Sequence, residues 1–171
     1  MKYARHGHSA CGVGEKYIVV TGGRIGDGNT CEIYDVGLNK WSDLPRLNTK
    51  RHYHSSCAFE NSSVFAFCGI NCDNRAYVNT IERLDISMFH QNVITHWEVF
   101  TVSSGSLEFT ARQGLGSCQI DAQGILLVGG YTGEHTKDSF DLNVGDKTLS
   151  KAGNQLPINT FPFAVPTLGE V

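Results

Sequence analysis

Two pairs of histidines, each separated by a single residue, are the first groups in this sequence that could do chemistry. They are His6 with His8, and His52 with His54. Residues i and i+2 of a β-strand point to the same side, so either pair could hold a metal ion. Because the pairs recur at one position of an internal repeat, a structural role is the better interpretation. We predict neither a metal site nor a cofactor.

Six cysteines raise a choice between disulfide bonds, a metal site and free thiols. Cys11, Cys57 and Cys118 occupy equivalent positions in different units of the repeat, as small buried apolar residues would. A disulfide requires Cα atoms within about 7 Å, which we do not expect between equivalent positions of separate units. Cys68 and Cys72 are closely spaced, but the sequence offers no two further zinc ligands at similar spacing. We therefore predict free thiols and a reducing, cytoplasmic location.

The tripeptide Arg5–His6–Gly7 resembles the motif of histidine phosphatases, in which the histidine is phosphorylated and the arginine binds phosphate. Such a site needs an α/β scaffold, a second histidine and further arginines, and this chain shows no alternation of strands and helices. Arg51–His52 repeats the start of the tripeptide without its glycine. The glycine-rich run at 22–28 lacks the Gly-Lys-Ser/Thr ending of a phosphate loop. We predict no catalytic residues.

The composition indicates which elements must position these groups. Glycine accounts for 19 of 171 residues and charged residues for 18%, against typical values of about 7% and about 25%. Many glycines and few charges favour tight turns between short apolar strands. No apolar run approaches the roughly 18 residues of a membrane span, and the N-terminus has no apolar region typical of a signal peptide. A net charge of −3 argues against nucleic acid as a partner.

An internal repeat organises the chain. Arg5, Arg51 and Arg112 are each followed six residues later by cysteine, and then by an apolar run that ends in glycine. Each run is followed by a four-residue element, which consists of an acidic residue, any residue, an apolar residue and Asp. The element lies at 32–35, 82–85 and 138–141. The second unit is longer because of insertions at 71–78 and 89–95. We predict repeats at about 5–50, 51–111 and 112–158, and the start of a fourth at about 159–171.

Each unit is predicted to form four short strands. The first carries the cysteine, the second is the apolar run, the third holds the acid-x-apolar-Asp element and the fourth holds Trp41 or Trp97. Apolar runs of strand length with β-branched residues, bounded by Gly and Asn, favour strand over helix. No amphipathic helix is evident, so the predicted class is all-β.

A period near 50 residues, with an apolar run closed by Gly-Gly and then a spaced Tyr and Trp, resembles the kelch repeat. The second unit has Gly69–Ile70 for Gly-Gly and Leu84 for Tyr, and the third has Leu149 for Trp. The resemblance implies a β-propeller with one four-stranded blade per repeat. Its structural positions here are Gly22, Gly23, Tyr34, Trp41, Gly69, Trp97, Gly129 and Gly130.

Three units are fewer than the roughly four to eight blades of a closed propeller. We therefore expect a partial propeller, completed by missing sequence or by other chains. An open arc would leave apolar blade faces exposed at both ends.

The kelch resemblance implies a non-catalytic protein-interaction module. In that family, the loop before the first strand and the loop after the second strand of each blade line one rim. The residues this places at the rim are Arg5, His6, Arg24, Arg51, His52, Tyr53, Arg75, Arg112, Tyr131 and His135. Arginines and aromatics suit an acidic peptide or protein, with cytoskeletal proteins and ubiquitin-ligase clients as implied kinds of partner. The leading arginines could instead be scaffold residues.

Two other functions remain open at this point. The first is a structural component of a larger complex, with no discrete ligand. The second is an enzyme, because proteins with kelch-like propellers include copper-dependent sugar oxidases and sialic acid isomerases. The sequence shows no recognisable set of Tyr and His copper ligands, which makes the enzyme the minor alternative.

Overall fold

A computed structural model describes residues 1–24, 26–91, 93, 96–103 and 109–153. Within these ranges the chain forms three four-stranded antiparallel sheets and one two-stranded sheet, with a single 3₁₀ turn at Phe89–Gln91 and no α-helix. The prediction of an all-β class is confirmed, and each unit contains one four-stranded sheet. The second unit has two further short strands, and Trp97 lies directly before its fourth strand and not in it. No helix in these ranges has the length and apolar character needed to cross a membrane.

The strands follow the repeat. Blade 1 consists of β1 (Ser9–Val13), β2 (Tyr17–Thr21), β3 (Cys31–Asp35) and β4 (Lys40–Leu44). The second unit contains β5 (Arg51–His52), β6 (Ser55–Phe59), β7 (Ser63–Phe67), β8 (Ile70–Asn71), β9 (Ile81–Asp85) and β10 (Glu98–Val99). Blade 2 is β6, β7, β9 and β10, while β5 pairs with β8. Blade 3 consists of β11 (Gly116–Gln119), β12 (Gly124–Val128), β13 (Ser139–Asn143) and β14 (Thr148–Lys151).

The second strand of each blade is the apolar run of the repeat. The sequences are YIVVT in β2, SVFAF in β7 and GILLV in β12. In β7 every residue is buried, because blades 1 and 3 pack against its two faces. Burial on both faces explains why β7 is apolar from Val64 to Phe67 instead of alternating between apolar and polar residues.

The core consists of two apolar layers between the blades. Val19 and Ile33 of blade 1 pack with Val64, Leu84 and Trp97 in the first layer. The second layer joins residues of blades 2 and 3, namely Phe65, Phe67, Ile125, Leu127, Phe140 and Leu142 among others. Trp97 is fully buried and its indole N–H donates to the carbonyl of Pro45 at 2.9 Å. This tryptophan therefore lies between blades 1 and 2.

The glycine pair that ends the second strand needs one correction. The N–H of Gly22 donates to the carbonyl of Thr30, and at the equivalent place the N–H of Cys68 donates to the carbonyl of Thr80. Gly22 and Cys68 both have a left-handed backbone conformation, with φ of 57°. The pair in the second unit is thus Cys68–Gly69, and the prediction of Gly69–Ile70 is wrong by one residue. Gly22 also allows a close approach, because a Cβ there would lie 2.6 Å from the carbonyl oxygen of Arg51.

Two of the predicted boundaries concern residues outside the described ranges. The predicted fourth unit, 159–171, and the end of the third unit lie within 154–171. The repeat boundaries therefore stay predictions. The register does confirm that Leu149 replaces the tryptophan in blade 3, because Leu149 faces Leu142 as Trp41 faces Tyr34.

Candidate functional site

The leading arginines of the first two units have the same environment. Arg5 donates to the carbonyls of Gly22 (2.6 Å) and Thr30 (2.8 Å) and to the carboxylate of Glu32 (2.8 Å). Arg51 donates in the same way to the carbonyls of Cys68 and Thr80, each at 3.0 Å, and to Glu82 at 2.5 Å. Each arginine thus joins the end of the second strand to the third strand by charge-assisted hydrogen bonds.

The third arginine uses a different chemistry. Arg112 donates to the carbonyl of Gly129 at 3.2 Å, but Phe140 occupies the place of the glutamate. The guanidinium lies over the rings of Phe140 and Phe109, 4.9 and 5.0 Å from their centroids. A cation–π arrangement therefore replaces the ion pair in blade 3.

This arrangement corrects the alignment of the third unit. The N–H of Gly129 donates to the backbone carbonyl of Asp138, just as the N–H of Gly22 donates to the backbone carbonyl of Thr30. Asp138 is therefore the equivalent of Thr30, and it pairs with Lys151 at 2.8 Å. The predicted acid-x-apolar-Asp element at 138–141 therefore begins two residues too early, because Phe140 and not Asp138 is equivalent to Glu32.

The burial of the leading arginines removes them from the exposed rim. The side chains of Arg5 and Arg51 are 2% and 0% exposed, and Arg112 is buried as well. The terminal guanidinium nitrogens of Arg5 and Arg51 donate to carbonyls and carboxylates of the described blades, while the Nε of each has no partner among the described residues. They are scaffold residues, which was the alternative left open by the sequence.

His6 and Arg24 join the two loops of blade 1. The N–H of Arg24 donates to the carbonyl of His6 at 2.7 Å, and the N–H of His6 donates back at 3.3 Å. Both residues are exposed. The sequence prediction that these loops meet at one end of the blade is realised at this pair.

Tyr53 connects the same loops from blade to blade. Its N–H donates to the carbonyl of Gly7 at 2.7 Å, and its carbonyl accepts from the N–H of Gly114 at 2.8 Å. These three residues are equivalent, each two positions after its leading arginine, and all are left-handed with φ of 63°, 52° and 61°. The Tyr53 ring lies over Gly7, where an added Cβ would be 3.1 Å from it, and the residue is 43% exposed.

His52 lies beneath this surface. It is buried, and its Nδ1 is 3.4 Å from the Sγ of Cys72. Burial lowers the pKa of His52, and the nearby charges of Arg24 and His6 lower it further. His6, Arg24, His52 and Tyr53 are therefore brought together, and we call these four residues the rim cluster.

The other predicted rim residues lie in loops of blades 2 and 3. Arg75 is exposed in the loop between β8 and β9. Tyr131 and His135 form a pair in blade 3, with ring centroids 5.3 Å apart.

Another histidine contributes to a polar network between blades 1 and 2. The Nε2 of buried His54 is 2.8 Å from the Thr21 hydroxyl, which is 2.6 Å from that of Ser56. Among the described residues, the Nδ1 of His54 has no hydrogen-bond partner. Burial holds the pKa of His54 well below its ordinary value, and the positive charge of Arg51 adds to the effect.

This network predicts acid sensitivity. A histidine in the unfolded chain has a pKa of about 6.5. Below that pH the unfolded state binds a proton at His54, whereas His54 of the folded state stays neutral. The stability present above pH 6.5 is lost as the pH falls, by at most about 1.4 kcal/mol per pH unit for one proton. Urea unfolding at pH 7.5 and 5.5 should show a larger loss for the wild type than for His54→Leu, which copies Leu115 of blade 3.

His52→Leu is the matched control for this prediction. The pKa of His52 is lowered less than that of His54, so its replacement should change the pH dependence less than that of His54. Equal pH dependence in the wild type and His54→Leu would contradict the assignment.

The cysteines are free thiols, and most are buried. Burial raises the pKa of Cys31 and of Cys57 to about 12 and that of Cys68 to about 11. In the part of the chain that the structure describes, no three His, Cys, Asp or Glu side chains are grouped as a metal ion would require.

The comparison with protein families agrees with this geometry. The family model described as the kelch motif matches residues 4–48, which includes Arg5, the Gly22–Gly23 pair, Tyr34 and Trp41. Residues 4–48 are therefore similar to a kelch repeat. The three sheets of the chain have the architecture of a partial kelch propeller, in which blade 1 is the matched kelch repeat. No curated protein matches the chain.

Two features of the rim cluster and its surroundings were not predicted from the sequence. One is the contact between Cys72 and His52, which no spacing indicates. The other is the equivalence of Gly7, Tyr53 and Gly114, which the common offset from the leading arginines does reveal. The sequence therefore already shows that Tyr53 stands where the two equivalent positions have glycine, which could have indicated a special role for this residue.

Proposed function

We propose that this chain is a non-catalytic protein-interaction module that binds a peptide or protein through the rim cluster. The observation that carries the proposal is Tyr53, a tyrosine with φ of 52° at a position where the other two blades have glycine. A left-handed conformation costs a non-glycine residue about 1 kcal/mol. An exposed aromatic ring kept in a strained conformation is typical of a binding residue.

The backbone around Tyr53 supports binding because it is fixed before a partner arrives. Hydrogen bonds join Gly7, Tyr53 and Gly114 in sequence across three blades. Further bonds link Gly23 to the Arg51 carbonyl at 2.9 Å and Gly69 to the Arg112 carbonyl at 2.8 Å. A partner would therefore meet a surface that loses little conformational freedom on binding.

The side chains of the rim cluster define the chemistry of the partner. Tyr53 offers an exposed ring, while Arg24 offers an exposed guanidinium at the edge of the same surface. Tyrosine and arginine are the residue types that most often dominate binding energy at interfaces, and arginine favours carboxylates. We propose an acidic peptide segment as the ligand, with cytoskeletal proteins and ubiquitin-ligase clients as the sources that the kelch resemblance implies.

Selection from a random twelve-residue peptide library tests this function. Enriched peptides should be rich in Asp and Glu and should bind Tyr53→Gly and Arg24→Ala at least tenfold more weakly than the wild type. Tyr53→Gly should not lose stability, because glycine relieves the left-handed strain. Lys40→Ala is the control, since Lys40 lies in β4 at the opposite end of blade 1 and should bind normally. Enriched peptides that ignore both substitutions, or no enrichment, would contradict the proposal.

A further inference from the structure

The loop that follows the second strand of blade 2 is folded into a hairpin. We call residues 70–77 the blade 2 hairpin, and its stem closes where Ile70 pairs with Tyr77. In blade 3, the stem at the same end of the sheet pairs Tyr131 with His135. The blade 3 stem encloses residues 132–134 and the blade 2 stem encloses residues 71–76, so the blade 2 hairpin is the longer of the two.

Hydrogen bonds order the tip of the blade 2 hairpin. The N–H of Asn71 donates to the carbonyl of Ala76 at 2.8 Å, and the N–H of Arg75 donates to the carbonyl of Asn71 at 3.0 Å. The side-chain oxygen of Asn71 accepts from the N–H of Asp73 at 2.8 Å. The side-chain oxygen of Asn74 accepts from the N–H of Ala76 at 2.9 Å. Arg75 is thus held in a defined backbone conformation, which is left-handed with φ of 60°.

Strand β5 lies between the blade 2 hairpin and a loop of blade 1. On one side of β5, the carbonyl of Arg51 accepts from the N–H of Gly23 at 2.9 Å, and the N–H of Arg51 donates to the carbonyl of Gly28 at 3.0 Å. On the other side, β5 pairs with β8, the first strand of the hairpin. Tyr53 follows β5 directly, so the blade 1 loop and the blade 2 hairpin flank the segment that carries it.

Cys72 joins the blade 2 hairpin to the rim cluster by a side-chain contact. Its Sγ is 3.4 Å from the Nδ1 of His52. Burial raises the pKa of the Cys72 thiol, and the positive charges of Lys50 and Arg24 oppose the rise. Arg24 of the rim cluster therefore lies near enough to the hairpin for its charge to act on Cys72.

The guanidinium of Arg75 provides the chemistry of the hairpin. Arg75 is exposed, and its side chain has no ion pair or hydrogen bond with any residue that the structure describes. Asp73 is the acidic residue of the hairpin, and it pairs with Lys50 at 3.0 Å. The positive charge of Arg75 is therefore available to a partner, and arginine binds carboxylates by charge-assisted hydrogen bonds. At the stem, Tyr77 is 38% exposed and offers an aromatic surface.

We propose that the blade 2 hairpin is part of the peptide site and that Arg75 binds a second carboxylate of the acidic segment. The first carboxylate is bound by Arg24, and the segment crosses β5 at Tyr53. This inference rests on the function proposed for the rim cluster. A segment with a single acidic residue can pair with only one of the two arginines, so the site selects segments with two separated acidic residues.

Fluorescence anisotropy tests the role of Arg75, with the most enriched peptide of the twelve-residue library labelled with fluorescein as the probe. Arg75→Gly should weaken binding at least fivefold. The variant should fold normally, because glycine adopts a left-handed conformation without strain. Lys147→Gly is the matched control, since Lys147 is also an exposed basic residue with a left-handed φ, of 54°. It lies between β13 and β14, at the opposite end of blade 3, and should leave binding unchanged.

Replacing the acidic residues of the peptide one at a time, Asp by Asn and Glu by Gln, separates a direct contact from long-range attraction. One replacement should remove most of the effect of Arg75→Gly. A replacement at a different position of the peptide should remove most of the effect of Arg24→Ala. Such pairwise coupling is the signature of two groups in contact.

The possible failures are distinguishable. Wild-type affinity in Arg75→Gly, together with weakened binding in Tyr53→Gly, would overturn the role of the hairpin and leave the rim cluster as the site. A loss that Lys147→Gly also shows, or that every peptide replacement changes equally, would reduce the effect to net charge and overturn the proposed contact. Absence of any peptide that binds the wild type would overturn the function proposed for the rim cluster, and this inference with it.

Discussion

Replacing Arg51 by methionine is expected to lower the free energy of unfolding by about 3–5 kcal/mol. The side chains of Arg51 and Glu82 are both 0% exposed. Without the guanidinium, Glu82 stays buried with a charge that only the N–H groups of Asn48 and Thr49 stabilise. The carbonyls of Cys68 and Thr80 also lose a donor. Urea unfolding at a single protein concentration measures the loss.

Two further variants separate the buried pair from an ordinary ion pair. Arg51→Met with Glu82→Gln should be more stable than the sum of the single changes implies, because it leaves no unpaired buried charge. Arg46→Met is the control, since Arg46 and Asp27 form an exposed pair and should contribute little. A similar effect for Arg46→Met and Arg51→Met would contradict the scaffold role.

Trp97→Ala is expected to destabilise the fold by about 3–5 kcal/mol. The indole fills the layer between blades 1 and 2, and its N–H donates to Pro45 across the junction. Alanine would leave a cavity and remove the donor of this interblade hydrogen bond. Thermal and urea unfolding measure the change.

Val99→Ala is the comparison for the tryptophan. Val99 lies two residues later and is exposed, so its truncation should change stability little. If both variants unfold at the same urea concentration as the wild type, Trp97 does not hold the two blades together.

The strands of the three described blades were predictable because the same pattern of residues occurs three times in the sequence. The assignment of Leu149 to the tryptophan position was correct for the same reason, since its spacing from Leu142 matches that between Trp41 and Tyr34. Periodic apolar residues depend on local geometry, which the sequence records directly.

The errors came from residues whose role depends on a distant partner. Cys68 adopts a left-handed φ that sequence reading assigns to glycine, so the pair was placed one residue late. In blade 3, Phe140 stands at the position of Glu32 and Glu82 and stacks on Arg112. Asp138 was therefore aligned wrongly with those two glutamates. An arginine at a rim and an arginine in a scaffold have the same sequence signature, and only the burial of Arg51 distinguishes them.

The buried cysteines also provide a way to time the opening of each blade. Cys31 belongs to blade 1, Cys57 to blade 2 and Cys118 to blade 3. Because the thiolate is the reactive species and burial raises the pKa of each, alkylating reagents reach them only through local opening. Mass spectrometry of timed alkylation would therefore give three opening rates from one unmodified protein. Those rates would give the order in which its blades come apart.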